Sequence, residues 1–310
     1  MDYGGAFDSG AIQGYFDPMA LWFNAGRVIA ALALLSAPAE ILGQWPNYRA
    51  PGAPRTADGK VDLAAPAPRT SDGKPDLSGV WLYSRAPGQR NAAPAPSTPP
   101  AAPPAQSGTP EIIPLSVRTS QFWNLGASFK DGLPFQPWAA ELHEQRVATN
   151  SKDNPDAHCL PLGVMQLHNH GQPRKMIQTP GVIVILYEAN SGVRQIFTDG
   201  RTLPKDPEPW WYGYSIGHWE GDTLVAESTN FRDLGWLDVE GSTLTESGKI
   251  VERYRRPDYG HLEIEVTIDD AKAYTKPWTV TVHQRLMPDT ELIEFVCGEN
   301  DKDETHLVGK

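Results

Sequence analysis

Apolar and polar side chains alternate along short segments in the C-terminal half of the chain. In residues 262–268 (LEIEVTI), every even position is apolar and every odd position is acidic or carries a hydroxyl group. A period of two is typical of a strand with one buried face and one solvated face. Similar segments predict strands at residues 79–84, 181–188, 193–199, 212–219, 223–229, 249–256, 262–268, 278–286 and 291–297.

Residues 215–228 (SIGHWEGDTLVAES) predict a tight hairpin in the middle of this series. Gly221-Asp222 fits a two-residue type II′ turn, in which glycine supplies the positive φ. The glycine and the acid are therefore turn residues, whereas Trp219 is expected either in the core or in the wall of a cavity. The predicted cross-strand pairs are Glu220–Thr223, Trp219–Leu224 and Gly217–Ala226.

Short turns separate the predicted strands, so each strand is expected to pair with the next in an antiparallel meander. A meander of about eight strands protects its edges best by closing into a barrel. The sequence therefore predicts an all-β protein whose meander is closed or nearly closed into a lipocalin-like barrel. One short helix is predicted from Pro137, because proline is favoured in a first helical turn. Residues 181–188 are apolar on both faces, so the helix or a linker is expected to cover the outer one.

The N-terminal region has the pattern of an export signal. From Met19 onward, one arginine precedes a short apolar run and then Ala37-Pro38-Ala39. This order is typical of a secretory signal peptide with a small-residue cleavage site. Residues 1–43 are therefore expected to be a cleaved signal peptide or, alternatively, a membrane-anchoring segment.

Proline-rich stretches divide the remainder of the chain. Residues 44–76 form an irregular arm in which PRTADGKVDL, at 54–63, returns as PRTSDGKPDL at 68–77. Such an arm buries little apolar surface, so it is expected to be ordered only against its own barrel, a lipid surface or a partner. The barrel domain is predicted over residues 77–300, with a Pro-rich insertion at 86–110 and a tail at 301–310.

Composition narrows the classes of partner. The net charge of −11 argues against a nucleic-acid partner, which would favour a basic surface. The mean hydropathy of −0.42 argues against a protein with several membrane spans. Cys159 and Cys297 are the two cysteines of the chain, and in an exported protein the expected state is one disulfide rather than two free thiols.

Three histidines are candidate metal ligands. His168 and His170 in LHNH would share a side of a strand, with His158 nearby. No acid or cysteine completes a recognisable ligand set, so a polar loop is the favoured interpretation and no metal site or cofactor is predicted.

Charged residues in strands suggest candidate site residues. In VERYRR, residues 251–256, either Glu252 or Arg253 must face the barrel interior, because one charge lies on each face. A buried charge must be paired, so this residue is half of a structural ion pair or a ligand anchor. Asp199 and Arg201 flank a glycine turn that could lie at the barrel mouth. The predicted ligand-binding residues are Trp219, Glu252, Arg253, Asp199 and Arg201.

Several motifs in order resemble those of a family of exported bacterial proteins common in acidobacteria and proteobacteria. They are DGKPDLSGVW, GHWEGDTLVAES, VERYRR, EVTIDDAKAYTKPWTV and FVCGEN, and they span roughly residues 68–300. The resemblance implies export and says little about activity. SGVW is also similar to the Gly-x-Trp that opens the first strand of lipocalin-like barrels, which is an analogy of fold only.

The expected function is that of a periplasmic or extracellular protein without catalysis of its own. One form is a binder of a small, partly aromatic or apolar organic ligand in a barrel cavity. The other is a scaffold or accessory subunit of a membrane-associated assembly, such as a respiratory or photosynthetic complex, held through the N-terminal segment. The alternative is a cofactor-free lyase, isomerase or hydrolase that uses Asp199, Glu252 or a histidine as acid–base.

Overall fold

The computed structural model describes residues 48–85 and 120–299. All of them belong to one compact unit. The predicted signal or anchor segment (1–43), the Pro-rich insertion (86–110) and the tail (301–310) lie outside the described residues.

Nine strands close into one barrel, which confirms the predicted all-β barrel class. Their order around the barrel is β1-β11-β10-β9-β6-β5-β4-β3-β2, and β7 and β8 form a separate two-stranded sheet. The strands are β1 (Gly79–Ser84), β2 (Arg174–Thr179), β3 (Val182–Tyr187), β4 (Val193–Phe197), β5 (Tyr214–Glu220), β6 (Thr223–Thr229), β7 (Gly235–Trp236), β8 (Thr243–Leu244), β9 (Lys249–Arg255), β10 (His261–Asp269) and β11 (Trp278–Leu286).

The prediction of a purely antiparallel meander needs one correction. β4 and β5 pair in parallel, through Ile196–Ser215 and Phe197–Ile216. Parallel neighbours require a connection that returns to the starting end of the first strand. Residues 198–213 supply that crossover, whereas a meander would need only a tight turn there.

The central hairpin forms with the predicted register. Glu220 pairs with Thr223, Trp219 with Leu224 and Gly217 with Ala226. Gly221 has φ of +60°, as the first residue of a type II′ turn requires. The space beside Gly217 is occupied, because an added Cβ there would lie 2.9 Å from a methyl group of Ile196.

Two strand assignments from the sequence are wrong. β2 was missed because its pattern is inverted: Arg174 and Gln178 face the interior, while Ile177 is exposed. Residues 291–297 form no strand, although their pattern predicts one. Both edges of β11 are already paired, with β1 and β10, so the closed barrel leaves no edge beside it.

Helices cover the end of the barrel at which β5 begins. The predicted helix is confirmed as α1 (Pro137–Ala148), which buries only Ala139. LHNH is predicted as a polar loop, but its first three residues end a second helix, α2 (Val164–Asn169), in which every residue is buried, and His170 is the C-cap. Short 3-10 helices occupy Leu125–Ser128, Pro155–His158 and Ala189–Ser191.

The described part of the N-terminal arm packs on its own barrel. The two repeats form the same turn, in which Thr56 and Thr70 each donate to the aspartate two positions later. Each repeat is also attached by an arginine, the first to the residues that follow β11 and the second to the β5–β6 turn. Arg55 pairs with Asp289 at 2.7 Å, and Arg69 pairs with Asp222 at 2.6 Å.

The C-terminal segment runs along the outside of the barrel. Cys159 and Cys297 form the predicted disulfide across 138 positions of sequence. Glu291 pairs with Lys175, the β2 partner of Leu186, which brings this segment to the outer side of β2 and β3. Within residues 48–85 and 120–299, no helix is long and apolar enough to span a bilayer.

Candidate functional site at one mouth of the barrel

One mouth of the barrel is formed by tight connections. β2 turns into β3 through Pro180-Gly181, and β5 turns into β6 through Gly221-Asp222. The second repeat lies across this mouth, because Arg69 holds Asp222 and Lys74 donates to the carbonyl of Gly221 at 3.4 Å. The repeat and the barrel thus enclose a space that neither would form alone.

This space is a cleft of about 490 Å³, which we call the mouth cleft. Its volume falls within the range of sites for small organic ligands. The lining combines apolar surface with hydroxyl, amide and carboxylate groups. The lining residues are Thr70, Ser71, Asp72, Gln178, Thr179, Pro180, Gly181, Ile183, Thr198 and Trp219.

Trp219 forms an aromatic wall of the mouth cleft. Trp219, Gly217 and Ser215 are two positions apart along β5 and therefore share one face of the strand. Ser215 is buried, so this is the interior face of the barrel. The indole packs against the hydrophobic core and remains partly exposed. Lys74 Nζ lies 6.0 Å from the centroid of the ring, on the repeat that covers the mouth.

The remaining barrel walls of the cleft are rigid. Ile183 is 1% exposed and belongs to the buried core. The Gln178 amide is held at both atoms, since its oxygen accepts from Leu77 N at 2.9 Å and its nitrogen donates to Pro75 O at 3.2 Å. Thr179 donates to the carbonyl of Val182 at 2.9 Å, so its hydroxyl presents an acceptor.

The turn Thr70–Asp72 supplies the polar side of the cleft. The Thr70 hydroxyl donates to Asp72 Oδ1 and lowers the pKa of that carboxyl, so Asp72 is ionised at neutral pH. Backbone N–H groups of Asp72 and Lys74 also lower the pKa of this carboxyl, and the Asp72 side chain remains exposed. The hydroxyls of Ser71 and Thr198 form no hydrogen bond with another described residue. These three groups are available to a ligand.

A second polar cluster fills the barrel interior beneath α2. Glu252, which is 0% exposed, accepts from Nη1 and Nη2 of Arg194 and from the Tyr254 hydroxyl at 2.7 Å. His168 Nε2 lies 2.6 Å from Oε1 of Glu252. Burial alone would raise the pKa of Glu252, but the charge and hydrogen bonds of Arg194 hold it below its usual range. We call these residues, together with Arg174, the buried charge cluster.

His168 is neutral in this cluster. Arg174 donates to His168 Nδ1 at 2.8 Å, which leaves Nε2 to carry the proton toward Glu252. A second proton on Nδ1 would point toward the guanidinium N–H of Arg174, and the two positive groups would repel each other. Burial lowers the pKa of His168 to about 4, although the hydrogen bond to Glu252 opposes the shift.

The predicted site residues fall in three separate places. Trp219 lines the mouth cleft and Glu252 lies in the buried charge cluster, so Glu252 is the interior charge that VERYRR predicted. Arg253 points outward and pairs with Glu220 at 2.8 Å. Asp199 and Arg201 pair with each other at 2.5 Å on the surface, and the Arg201 guanidinium stacks on an aromatic ring. Four of the five therefore do not line the mouth cleft.

The three histidines weighed as ligands do not converge. His158 Nε2 lies 2.8 Å from the carbonyl of Lys152, and His170 Nδ1 accepts from Gln172 N at 3.1 Å. Among the described residues, no group of three or more His, Cys, Asp or Glu side chains is arranged to hold a metal ion.

Comparison with protein-family models, curated proteins and solved structures found no match.

Function is therefore inferred from the chemistry of the site. Sequence reasoning missed the polar side of the mouth cleft, because Thr70, Ser71 and Asp72 belong to a segment predicted only as an irregular arm. The signal in the sequence that indicates them is the repeat itself, because its second copy directly precedes a predicted barrel strand. It also missed the buried Arg174, whose strand was not predicted, and the buried Arg194, which was not named as a candidate.

Proposed function

We propose that the protein is an extracytoplasmic, non-catalytic barrel that binds a small organic ligand in the mouth cleft. The observation that carries the proposal is the open cleft of about 490 Å³ walled by Trp219. It combines an aromatic surface with a few oriented polar groups, which is the usual composition of a ligand site.

An extracytoplasmic location agrees with one feature of the structure and one of the sequence. The Cys159–Cys297 disulfide is the kind of bond that persists in oxidising compartments. The signal-like pattern of residues 1–43 favours export on independent grounds.

A ligand binder is favoured over a scaffold because the described part of the arm already packs against the barrel of its own chain. Arg55 and Arg69 are both paired with carboxylates of the same chain. Their repeats therefore require no partner protein to be ordered. A scaffold would have to dock through other surfaces or through residues outside those described.

A binder is also favoured over a cofactor-free enzyme. No histidine is among the residues that line the mouth cleft. The two carboxylates that were candidates for acid–base catalysis, Glu252 and Asp199, both have a lowered pKa because of arginine partners. They are ionised and paired at neutral pH, and neither lines the mouth cleft. A general acid or base needs a pKa near the working pH and direct reach to the substrate.

Native mass spectrometry of the full chain, isolated from its own cells under mild conditions, tests the proposal. We expect a bound small molecule in the wild type and none in Ser71→Trp, whose indole would fill the cleft. Ala57→Trp is the matched control, since Ala57 holds the same position in the first repeat and does not line the cleft. This control should retain the ligand.

Two results would contradict the proposal. A bound mass that survives in Ser71→Trp would place the ligand elsewhere. Isolation of the wild type without a ligand but in a stable complex with membrane proteins would favour the scaffold. Circular dichroism of both tryptophan variants verifies that each is folded.

A further inference from the structure

We propose that the ligand of the mouth cleft is a neutral polyhydroxylated ring, a mono- or disaccharide, stacked on Trp219 and donating a hydroxyl to Asp72. This inference rests on the proposed function and adds the chemical class of the ligand. It differs from the partly aromatic or apolar ligand that the sequence predicts.

The polar groups of the cleft match a ligand with many hydroxyls. Asp72 Oδ2 can only accept, while the hydroxyls of Ser71 and Thr198 can both donate and accept. The Thr179 hydroxyl already donates a hydrogen bond to Val182 O, so it presents only its lone pairs to a ligand. A sugar hydroxyl is both donor and acceptor, so one ring can satisfy all of these groups. A hydroxyl that donates to an ionised carboxylate forms one of the stronger hydrogen bonds.

The apolar groups match the other side of such a ring. The face of an indole is the negative pole of its quadrupole, so it attracts the weakly positive C–H groups of a sugar ring. Pro180, which is exposed, adds apolar surface to the lining, and Ile183 is part of the core behind it. A flat ligand with polar edges and an apolar face therefore fits the cleft.

The charges favour a neutral ligand. Asp72 is the one charged residue among those that line the cleft, and the Lys74 ammonium stands 6.0 Å from the indole centroid. These opposite charges balance at the mouth. An anion would be repelled by the Asp72 carboxylate, and a cation would be repelled by the Lys74 ammonium. A purely apolar ligand would leave the Asp72 carboxylate and the hydroxyls desolvated and unpaired.

The two repeats provide an internal control for this inference. Asp58 accepts from Thr56 as Asp72 accepts from Thr70, and both carboxylates have a lowered pKa because of that bond. Only the second copy lines the mouth cleft. Asp72→Asn and Asp58→Asn thus make the same chemical change, at the cleft and away from it.

Isothermal titration of the purified full chain with glucose, maltose, glucuronate and the apolar dye N-phenyl-1-naphthylamine tests the inference. We expect glucose or maltose to bind and to be weakened about tenfold by Asp72→Asn, an ordinary effect of losing a charge-assisted hydrogen bond. Asp58→Asn should bind as the wild type does. Trp219→Phe should weaken the sugar, since a smaller aromatic face remains, and circular dichroism checks its fold.

The outcomes separate the inference from the proposed function. Binding of the dye without either sugar, or glucuronate binding as tightly as glucose, would overturn the neutral-sugar inference and keep a ligand site. Equal loss in Asp72→Asn and Asp58→Asn would also overturn it, because the effect would then be structural. If none of the four probes binds and native mass spectrometry finds no bound mass, the inference and the proposed function fail together.

Discussion

At the scale of single residues, one neutral histidine joins a carboxylate to a guanidinium inside the barrel. His168 accepts from Arg174 on one ring nitrogen and donates to Glu252 from the other. The hydrogen bonds of each group in the buried charge cluster therefore depend on the protonation state of its neighbour. Removal of one charge should cost more than its own hydrogen bonds, because the opposite charge would remain buried and unpaired.

Glu252→Gln should destabilise the protein by about 3 to 5 kcal/mol, because Arg194 would lose its buried counter-charge. Urea unfolding measures the change. Glu220→Gln is the control, since it breaks an arginine pair on the outer face of the barrel, where Glu220 is 49% exposed. That variant should lose less than about 1 kcal/mol. Similar losses in both variants would show that the interior pair is not essential to stability.

His168 should make stability pH-dependent in mildly acidic solution. Its folded pKa of about 4 lies below the ordinary value of 6.5, so between these values the unfolded chain binds a proton that the folded chain does not. The free energy of unfolding should therefore fall by about 3 kcal/mol as the pH drops through this window. Glu252, whose pKa is also lowered, adds to the loss only below its ordinary value of 4.5.

Denaturant titrations at several pH values compare the wild type with His168→Gln. A glutamine amide can still donate to Glu252 and accept from Arg174, but it does not titrate. The slope of stability against pH between 4.5 and 6.5 should be smaller in this variant. An unchanged slope would assign the acid sensitivity to other groups.

At the scale of elements, strands with a regular interior face were predictable and the others were not. β10 alternates cleanly and was found with its neighbours, and the β5–β6 hairpin formed in the predicted register. β2 was missed because it turns Arg174 inward and Ile177 outward. That inversion places Arg174 in the buried charge cluster. The alternation of apolar and polar residues therefore fails to predict a strand where the fold buries a charge.

The candidate site was predictable only in part, for a similar reason. Trp219 was expected in a core or a cavity wall, and it serves as both. Asp72 was not expected, because the two repeats carry the same turn and nothing local to either distinguishes them. Which copy reaches the mouth depends on the pairing of Arg69 with Asp222, a contact between residues far apart in sequence.

The turn at Gly221 gives a test at this scale. Gly221→Val should destabilise the protein by about 1 to 3 kcal/mol, since a β-branched residue adopts positive φ only with strain. Gly171→Val is the control, because Gly171 has an ordinary φ and open space around its Cα. Thermal unfolding of both variants compares them. An unaltered midpoint in Gly221→Val would mean that the backbone of this turn readily adopts another conformation.

At the scale of the whole molecule, the disulfide ties the C-terminal segment to the loop before α2. Thiol labelling of the unfolded, unreduced protein should detect no free cysteine, and reduction should release two. The double variant Cys159→Ser, Cys297→Ser should lose up to about 4 to 5 kcal/mol of stability, since the bond closes a long loop. Two labelled thiols before reduction would contradict the disulfide and weaken the case for export.

The closure of the barrel between β1 and β11 has a consequence for how the chain reaches its folded state. Trp81 pairs with Leu286, so the first and last strands of the barrel must meet before either edge is covered. Contacts between such distant segments form slowly. A nascent or translocating chain that still lacks β11 exposes two open strand edges, each able to pair with another copy. Truncation within Trp278–Leu286 should therefore produce aggregates rather than a shorter soluble barrel.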